Sequence, residues 1–372
     1  MAYLRILAGD IGATNSRFAL FGAETDSFGA PVLGLERERW LKGADYPSFS
    51  HALKALRSPG AGHEAALFEQ GPEHSGPGAP LARQGDGRRP ALAVLALAGP
   101  IQGDGDDAFC RISNLPWLIT AREVKAELGL DAVFLINDFA AQAYACLMPE
   151  QMDAAPVLSG TALADAPVAV AGAGTGFGKA LLIFERNGGA AASETSPGNS
   201  GNEFFRRLAC ARVLPSEGGH VDFPFIGKEE WDFALFAGAR RGGRRLIGDA
   251  VVSGSGLADL YAFHTGQDLH PHEATAKAGE QPRVLEWFAR FYGRICRNYV
   301  LETLALGGLY ITGGMALRVP VLSHPAFARE FYTSASQEQL LRNTPVWHIR
   351  KAQAGLWGAA LYGLRHTRQK LS

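Results

Sequence analysis

An α/β fold is what this sequence predicts, and three observations carry that prediction. Two apolar segments interrupted by a glycine turn share one design. Buried-strand patterns alternate with helical ones along the chain. The length, 372 residues, suits about 2.5 domains of ordinary size.

The first of the paired segments runs from Leu4 to Phe21, with Gly9-Asp10-Ile11-Gly12-Ala13-Thr14-Asn15 between its two apolar runs. The second runs from Val168 to Phe184, with Gly172-Ala173-Gly174-Thr175-Gly176-Phe177-Gly178 in the same place. Short apolar runs bounded by glycine read as strands, and a few turn residues between two of them read as a hairpin. Each hairpin would open one half of the chain, as a weak internal repeat. Pro90 to Leu97 is a buried-strand pattern. Val133 to Ile136 is a short strand that runs into Asn137-Asp138 and then a helical stretch, Phe139 to Cys146. From Pro282 to Leu306, Val284, Phe288, Phe291, Ile295 and Tyr299 recur at three- and four-residue steps, the strongest helical pattern in the chain. Leu309 to Thr312 is a strand ending at Gly313-Gly314. Gly355 to Gln369 reads as a last helix whose basic C-terminal end suits the helix dipole. Two stretches, 58–89 and 187–203, lack an apolar period and read as inserted surface loops, with a partner site or a lid as the other reading.

Charge and composition exclude several classes. With 36 basic against 37 acidic residues and a net charge of -1, there is no basic footprint for nucleic acid and no polybasic membrane patch. The longest apolar run, near Ala91 to Ile101, is shorter than the roughly 18 residues of a membrane span. Cys110, Cys146, Cys210 and Cys296 form no Cys-x-x-Cys pair and read as buried thiols in a reducing compartment. With no leader-like N-terminus, the expected location is the cytoplasm. Glycine is in excess, at 45 residues, which points to tight turns or backbone that must approach a ligand closely.

The second glycine turn invites a P-loop reading and fails it. Ala173 stands where the first glycine belongs and Ala180 where the Mg2+-binding hydroxyl belongs. The segment that follows is a strand, whereas a P-loop opens a helix; a dinucleotide fingerprint needs that same context. Lys179 is therefore not expected to hold phosphate. A strand-turn-strand can still bind an anion through successive backbone N–H groups, with Thr14, Asn15 and Thr175 adding side-chain donors. Two such hairpins could clamp a triphosphate, and Asp10 could hold Mg2+ through water. Ordinary hairpin turns are the alternative.

Six motifs in order resemble a known family. Gly9-Asp10-Ile11-Gly12-Ala13-Thr14-Asn15-x-Arg17 looks like the first phosphate motif of bacterial glucokinases, non-ROK members of the hexokinase/actin-like ATPase superfamily. Leu135-Ile136-Asn137-Asp138-Phe139 resembles their catalytic segment and Gly174-Thr175-Gly176-Phe177-Gly178 their second phosphate motif. Glu217-Gly218-Gly219-His220-Val221-Asp222-Phe223 is similar to their sugar-binding segment. Ser253-Gly254-Ser255-Gly256-Leu257 and Ile311-Thr312-Gly313-Gly314 match the adenosine-side motifs. The similarity runs from about residue 5 to residue 364.

The resemblance implies two α/β domains of the actin-like ATPase (ribonuclease H-like) fold flanking a deep cleft, with glucose at its floor and MgATP across its mouth. Residues 1–135 with about 352–372 would form the smaller domain, and 136–351 the larger one with the catalytic Asp. The activity implied is transfer of the ATP γ-phosphoryl group to the 6-hydroxyl of glucose, at the entry to glycolysis. Asp138 follows a strand end, where ligand-binding residues of open α/β sheets gather, and would act as general base; a helix N-cap is the competing reading. Asn137, Glu217 and His220 would bind sugar hydroxyls, since amide, carboxylate and imidazole groups supply directional donors and acceptors. Glu217 and His220 could suggest a metal, but no third ligand lies at zinc-like spacing.

The sequence departs from the family pattern at Ala13, at Phe177 and at Asp249, where a Glu is usual and would reach the anomeric side of the sugar. Aspartate keeps the charge and loses one methylene of reach. The runner-up functions are a kinase for another hexose or amino sugar, a non-catalytic sugar sensor, and an actin-like ATPase acting without sugar. A homodimer is left open.

Overall fold

The computed structural model describes residues 3–12, 15–25, 31–58, 66–67, 90–112, 115–185 and 200–368. The chain begins with strands β1 (Leu4–Ile11), β2 (Asn15–Thr25) and β3 (Pro31–Lys42), helix α1 (Phe49–Leu56) and strand β4 (Leu92–Leu97). Strands β5 (Phe109–Arg111) and β6 (Leu118–Thr120) lead to helix α2 (Ala121–Leu128), strand β7 (Ala132–Asn137) and helix α3 (Asp138–Ala145). Next come β8 (Ala154–Leu158), β9 (Val168–Ala173), β10 (Phe177–Phe184), α4 (Ser200–Cys210) and β11 (Ala211–Ser216). A helical stretch follows: α5 (Gly227–Arg240), α6 (Gly248–Val251), α7 (Gly254–Thr265), α8 (Pro271–Lys277) and α9 (Pro282–Thr303). The chain closes with β12 (Leu309–Thr312), α10 (Gly314–Arg318), α11 (Pro325–Tyr332), α12 (Glu338–Asn343), β13 (Val346–Ile349) and α13 (Ala354–Arg368).

Two compact units result. Unit one is Met1–Leu147, Arg186–Ala211 and Gln353–Ser372; unit two is Met148–Glu185 and Arg212–Ala352. The boundary expected at residue 135 assigns Asn137 and Asp138 to the other domain. Unit one instead runs on through α3, because α3 is packed on α13: a Cβ at Gly358 would run into the Ala141 carbonyl, and Tyr144 meets Tyr362 edge-on at 5.3 Å. Helix α4 joins the same unit, with Arg365 Nη2 donating to the Ala209 carbonyl at 3.3 Å.

Unit one is built on a five-stranded sheet in the order β3-β2-β1-β4-β7. Strand β2 is antiparallel to β1 and β3, while β1, β4 and β7 run parallel. All six residues of β4 are buried, as expected of a parallel strand covered on both faces. One face carries the core that includes Leu7, Phe18, Leu20, Leu53, Trp117 and Val124. On the other, α13 lies close: a Cβ at Gly363 would touch Ile6 and Val94, and Phe21 meets Trp357 at 5.1 Å.

Unit two has a six-stranded sheet in the order β11-β10-β9-β12-β13-β8. Strand β9 is fully buried, pairs antiparallel with β10 and parallel with β12, and shares its core with the buried face of α9. Helix α9 ends at Leu304, in the left-handed conformation. A charge cluster ties its polar residues down: Arg294, 2% exposed, meets Glu230 at 2.5 Å and Glu330 at 2.7 Å.

The two expected loops fare differently from the reading. Of 58–89, only residues 58, 66 and 67 are described, and Leu67 is buried in the unit-one core with its N–H on the Leu56 carbonyl at 2.8 Å. Of 187–203, residues 187–199 lie outside the described residues, and Ser200–Glu203 open α4 rather than a loop. The pattern resumes there because Leu208 is buried and Phe204 and Phe205 precede it by one turn. All four cysteines are free; three are buried and Cys210 is partly so. Among the described residues no helix is long and apolar enough to cross a membrane.

Candidate active site

In unit one, register sets the site. Ile11 of β1 lies opposite Leu97 of β4, and Leu97 lies opposite Asn137 of β7. The three parallel strands therefore end level with one another. Neighbouring strands lie about 4.8 Å apart, so Asp10 and the end of β7 are on the order of 10 Å apart along one edge. Ligands bind outside such carboxyl ends in open α/β sheets.

The residue at each strand end has a distinct task. Asn137 is the N-cap of α3: its Oδ1 accepts from the N–H groups of Phe139 at 3.0 Å and Ala140 at 3.2 Å. The helix-capping task considered for Asp138 thus falls to its neighbour, and Asn137 has only its carboxamide N–H donors to offer a sugar. Asp138 stands in the first helical position, half-buried, with Oδ1 accepting from the Phe139 N–H at 2.9 Å. Cys110 is buried nearby; burial first, and the Asp138 charge second, push its thiol up to about 11.

Asp10 is half-buried beside the start of α13, where a Cβ at Gly355 would sit 3.0 Å from Asp10 Oδ2. Burial raises its pKa above the ordinary carboxylate range, and Arg17 pulls it partly back. A carboxylate whose charge is only partly compensated suits an added cation. Among the described residues no three His, Cys, Asp or Glu side chains form a metal-holding group. An ion here would have to bring most of its ligands as phosphate oxygens and water, the usual habit of Mg2+. Gly12 closes the hairpin with its N–H on the Asn15 carbonyl at 3.1 Å, and Gly9 and Ile11 are buried. Ala13 and Thr14 lie outside the described residues.

In unit two, four segments converge on the second hairpin. The Gly174 N–H bonds the Gly176 carbonyl at 2.7 Å, and the Gly174 carbonyl accepts from Gly254 N–H, at the start of α7, at 3.1 Å. Gly313, with φ of 90°, lies against β9: a Cβ there would come 2.6 Å from the Ala173 carbonyl. Gly314 begins α10, and Thr175 is exposed at the tip. Asp249 Oδ1 accepts from the Phe177 N–H at 2.6 Å. Gly219 presses so close to the Phe177 carbonyl that no side chain fits there.

The segment carrying Glu217 and His220 is held beside Asp249 by pairing of its continuation. The Phe223 N–H bonds the Leu246 carbonyl and the Gly248 N–H bonds the Val221 carbonyl, both at 2.9 Å. Glu217 Oε2 and His220 Nε2 lie 3.4 Å apart on a 3-10 turn, with both side chains more than half exposed. Lys179 is buried beneath this segment, where a Cβ at Gly218 would lie 3.4 Å from its Nζ; that Nζ is 4.8 Å from the centre of the Tyr299 ring, and burial lowers its pKa.

Thus unit one brings Asp10, Arg17, Asn137 and Asp138 to one sheet edge, and unit two gathers Gly174–Gly176, Glu217–His220, Asp249 and Gly313-Gly314. Sequence reasoning missed two residues beside these groups and one bond within them. Gly355 was visible as the first glycine of the last helix. The bond from Asp249 to Phe177 joins positions 72 residues apart and had no local signal. Trp40, whose ring lies 3.9 Å from the Arg17 guanidinium, read only as a strand residue.

A family model described as Glucokinase matches residues 7–201 and 203–366. A glucokinase of Pseudomonas aeruginosa (strain UCBPP-PA14) is 31% identical over 371 residues, covering 95% of this chain and 93% of the relative. A crystal structure of glucokinase from an Antarctic psychrotroph superposes with a TM-score of 0.68 at 26% identity, covering 98% of this chain and 99% of that one. A ROK family glucokinase from Streptomyces griseus, solved with glucose and AMPPNP, superposes with a TM-score of 0.54 at 16% identity, covering 96% and 98%; at that identity it speaks for the actin-like ATPase fold.

Proposed function

The chain belongs to the glucokinase family and is an ATP-dependent hexokinase-type kinase; on that premise we propose that it transfers the γ-phosphoryl group of ATP to the 6-hydroxyl of glucose, with Asp138 as general base. The observation that carries this reading is the level ending of β1, β4 and β7, which puts the Asp138 carboxylate on the same sheet edge as Asp10.

Asp138 would accept the proton of the 6-hydroxyl and aim that oxygen at the γ-phosphorus. An ordinary carboxylate suffices, because phosphoryl transfer through a loose transition state asks for positioning and charge stabilisation more than for a strong base. Asn137 would donate to a sugar oxygen from its amide N–H groups while its Oδ1 holds α3. Glu217 and His220, exposed and 3.4 Å apart, would bind neighbouring hydroxyls as acceptor and donor. Asp249, braced on the Phe177 N–H, would present its remaining carboxylate oxygen to the sugar. The Gly9–Asn15 and Gly174–Gly176 turns would receive phosphate oxygens on the backbone N–H groups that the sheet and the turn bonds of Gly12 and Gly174 leave free, Thr175 and Gly176 in the second, with Arg17 adding positive charge. Gly313 and Gly314 would leave room for the adenosine side. Mg2+, held by Asp10 through water, would supply charge neutralisation to the phosphates. The free cysteines and the reaction's demand for ATP support a cytoplasmic, glycolytic setting.

The test is ADP release with and without glucose, Mg2+ and competing hexoses. Glucose-dependent turnover with preference for glucose is expected. Turnover without sugar would sink the reading. Preference for another hexose would place the chemistry on that sugar and point to the shorter Asp249 as its cause.

A further inference from the structure

We propose that Trp40 is a positioning residue for the nucleotide phosphates: stacked on Arg17, it fixes the guanidinium beside Asp10 at the mouth of the first hairpin. The inference rests on the reading of that hairpin as a phosphate site and goes beyond it.

Asp10, Arg17 and Trp40 are cross-strand partners. Arg17 lies opposite Asp10 in the β1–β2 register and opposite Trp40 in the β2–β3 register. Residues directly opposite each other on adjacent strands share a face, with Cβ atoms about 5 Å apart. The row thus reads carboxylate, guanidinium, indole. The Arg17 Cζ lies 3.9 Å from the ring centre of Trp40, close enough for a planar guanidinium to stack on an aromatic face.

The ring is itself held. Trp40 Nε1 donates to Glu38 Oε1 at 2.9 Å, and Gln353 Nε2 reaches Glu38 Oε2 at 3.5 Å. Gln353 immediately precedes α13, whose Gly355 borders the Asp10 carboxylate. The row of Asp10, Arg17 and Trp40 is thus extended through Glu38 to Gln353, two residues before the glycine that borders Asp10. Burial does not account for the tryptophan, because it is 52% exposed on β3, the edge strand of its sheet. An arginine has about 2 kcal/mol of rotamer entropy to lose when it engages an anion. A stacking partner removes part of that loss beforehand, which is pre-organisation.

The test is a double-mutant cycle on Arg17 and Trp40. Its readouts are AMPPNP binding by calorimetry and the KM values for ATP and glucose. Trp40→Ala is expected to weaken AMPPNP binding and raise the ATP KM about two- to fivefold, the scale of an exposed cation–π contact. The glucose KM and thermal midpoint should move little. Trp40→Tyr should restore most of the affinity, and Trp40→Ala should add nothing in an Arg17→Gln background. If Arg17→Gln weakens the nucleotide and Trp40→Ala does not, or if Trp40→Ala acts equally in both backgrounds, the positioning role is overturned while the hairpin reading stands. If Arg17→Gln leaves AMPPNP binding intact, the phosphate reading of the hairpin falls and takes the inference with it.

Discussion

The two glycine hairpins look alike as sequences and differ as sites. The β1–β2 hairpin carries its own charge: Asp10 and Arg17 face each other across the strands, and Trp40 covers the guanidinium. The β9–β10 hairpin carries backbone, and its bracing comes from outside. Gly254 N–H bonds its turn, Asp249 accepts from Phe177 N–H, and Gly219 and Gly313 press against it as bare backbone. A repeat of design therefore does not mean a repeat of role. The first hairpin handles charge. The second is a junction on which the segments proposed to bind the sugar and the adenosine side are both seated.

The largest effect expected is on the first unit's edge. Asp138→Asn should cut turnover by about 10²- to 10⁴-fold, the range for a positioned general base, while the glucose KM shifts far less. A near-normal kcat in the coupled ADP assay removes Asp138 from the chemistry. On the second hairpin, Gly219→Ala forces a Cβ onto the Phe177 carbonyl, which lies on backbone and cannot turn aside. Overpacking of this kind costs about 1–3 kcal/mol, and the thermal midpoint should fall by about 2–4 °C per kcal/mol along with a raised glucose KM. The comparison breaks if only the ATP KM responds. A subtler change, Asp249→Glu, adds one methylene beside Gly176, where the carboxylate already fills the space. It should move the sugar KM about three- to tenfold, the scale of one hydrogen bond, and kcat less. Little change in either removes Asp249 from the sugar site.

Acid sharpens the contrast with the smallest effect. In unit two, burial first, with Arg283 and Arg290 adding to it, depresses His264 to about 4 from its ordinary 6.5. The unfolded chain then takes up a proton that the folded one refuses, so stability falls as pH drops from 6.5 toward 4. In unit one, the raised pKa of Asp10 works the other way. The folded state holds that proton more tightly, so its contribution rises as pH falls through the raised value toward the ordinary one. His264→Gln should narrow the drop in thermal midpoint between pH 7 and pH 5. An unchanged drop assigns the acid sensitivity to other groups.

Much of this was legible in the sequence because the signals were local. The hairpins, the apolar β4, the turn from β7 into Asn137-Asp138, and helix α9 each announce themselves within a few residues. What escaped depends on partners far along the chain. A first domain ending at residue 135 is what the sequence suggests, because nothing near α3 reveals that its packing partner, α13, lies some two hundred residues downstream. Leu67 looked like part of a polar loop, since one buried leucine makes no period. Asn137 and Asp138 both have side chains suited to capping, and only coordinates assign the cap to Asn137. Trp40 could be paired with Arg17 only once the β2–β3 register was known, and that register shifts between Leu20 and Phe21.

Helix α13 imposes an order on biosynthesis. Its Ala359, Ala360, Leu361 and Leu364 are buried in a unit whose strands β1, β2 and β4 are all made within the first hundred residues. Those strands leave the ribosome long before the helix that covers them, and the whole of unit two is made in between. The nascent first sheet keeps one apolar face open until α13 emerges. Over that interval, the open apolar face makes the N-terminal third of the chain the part most exposed to aggregation.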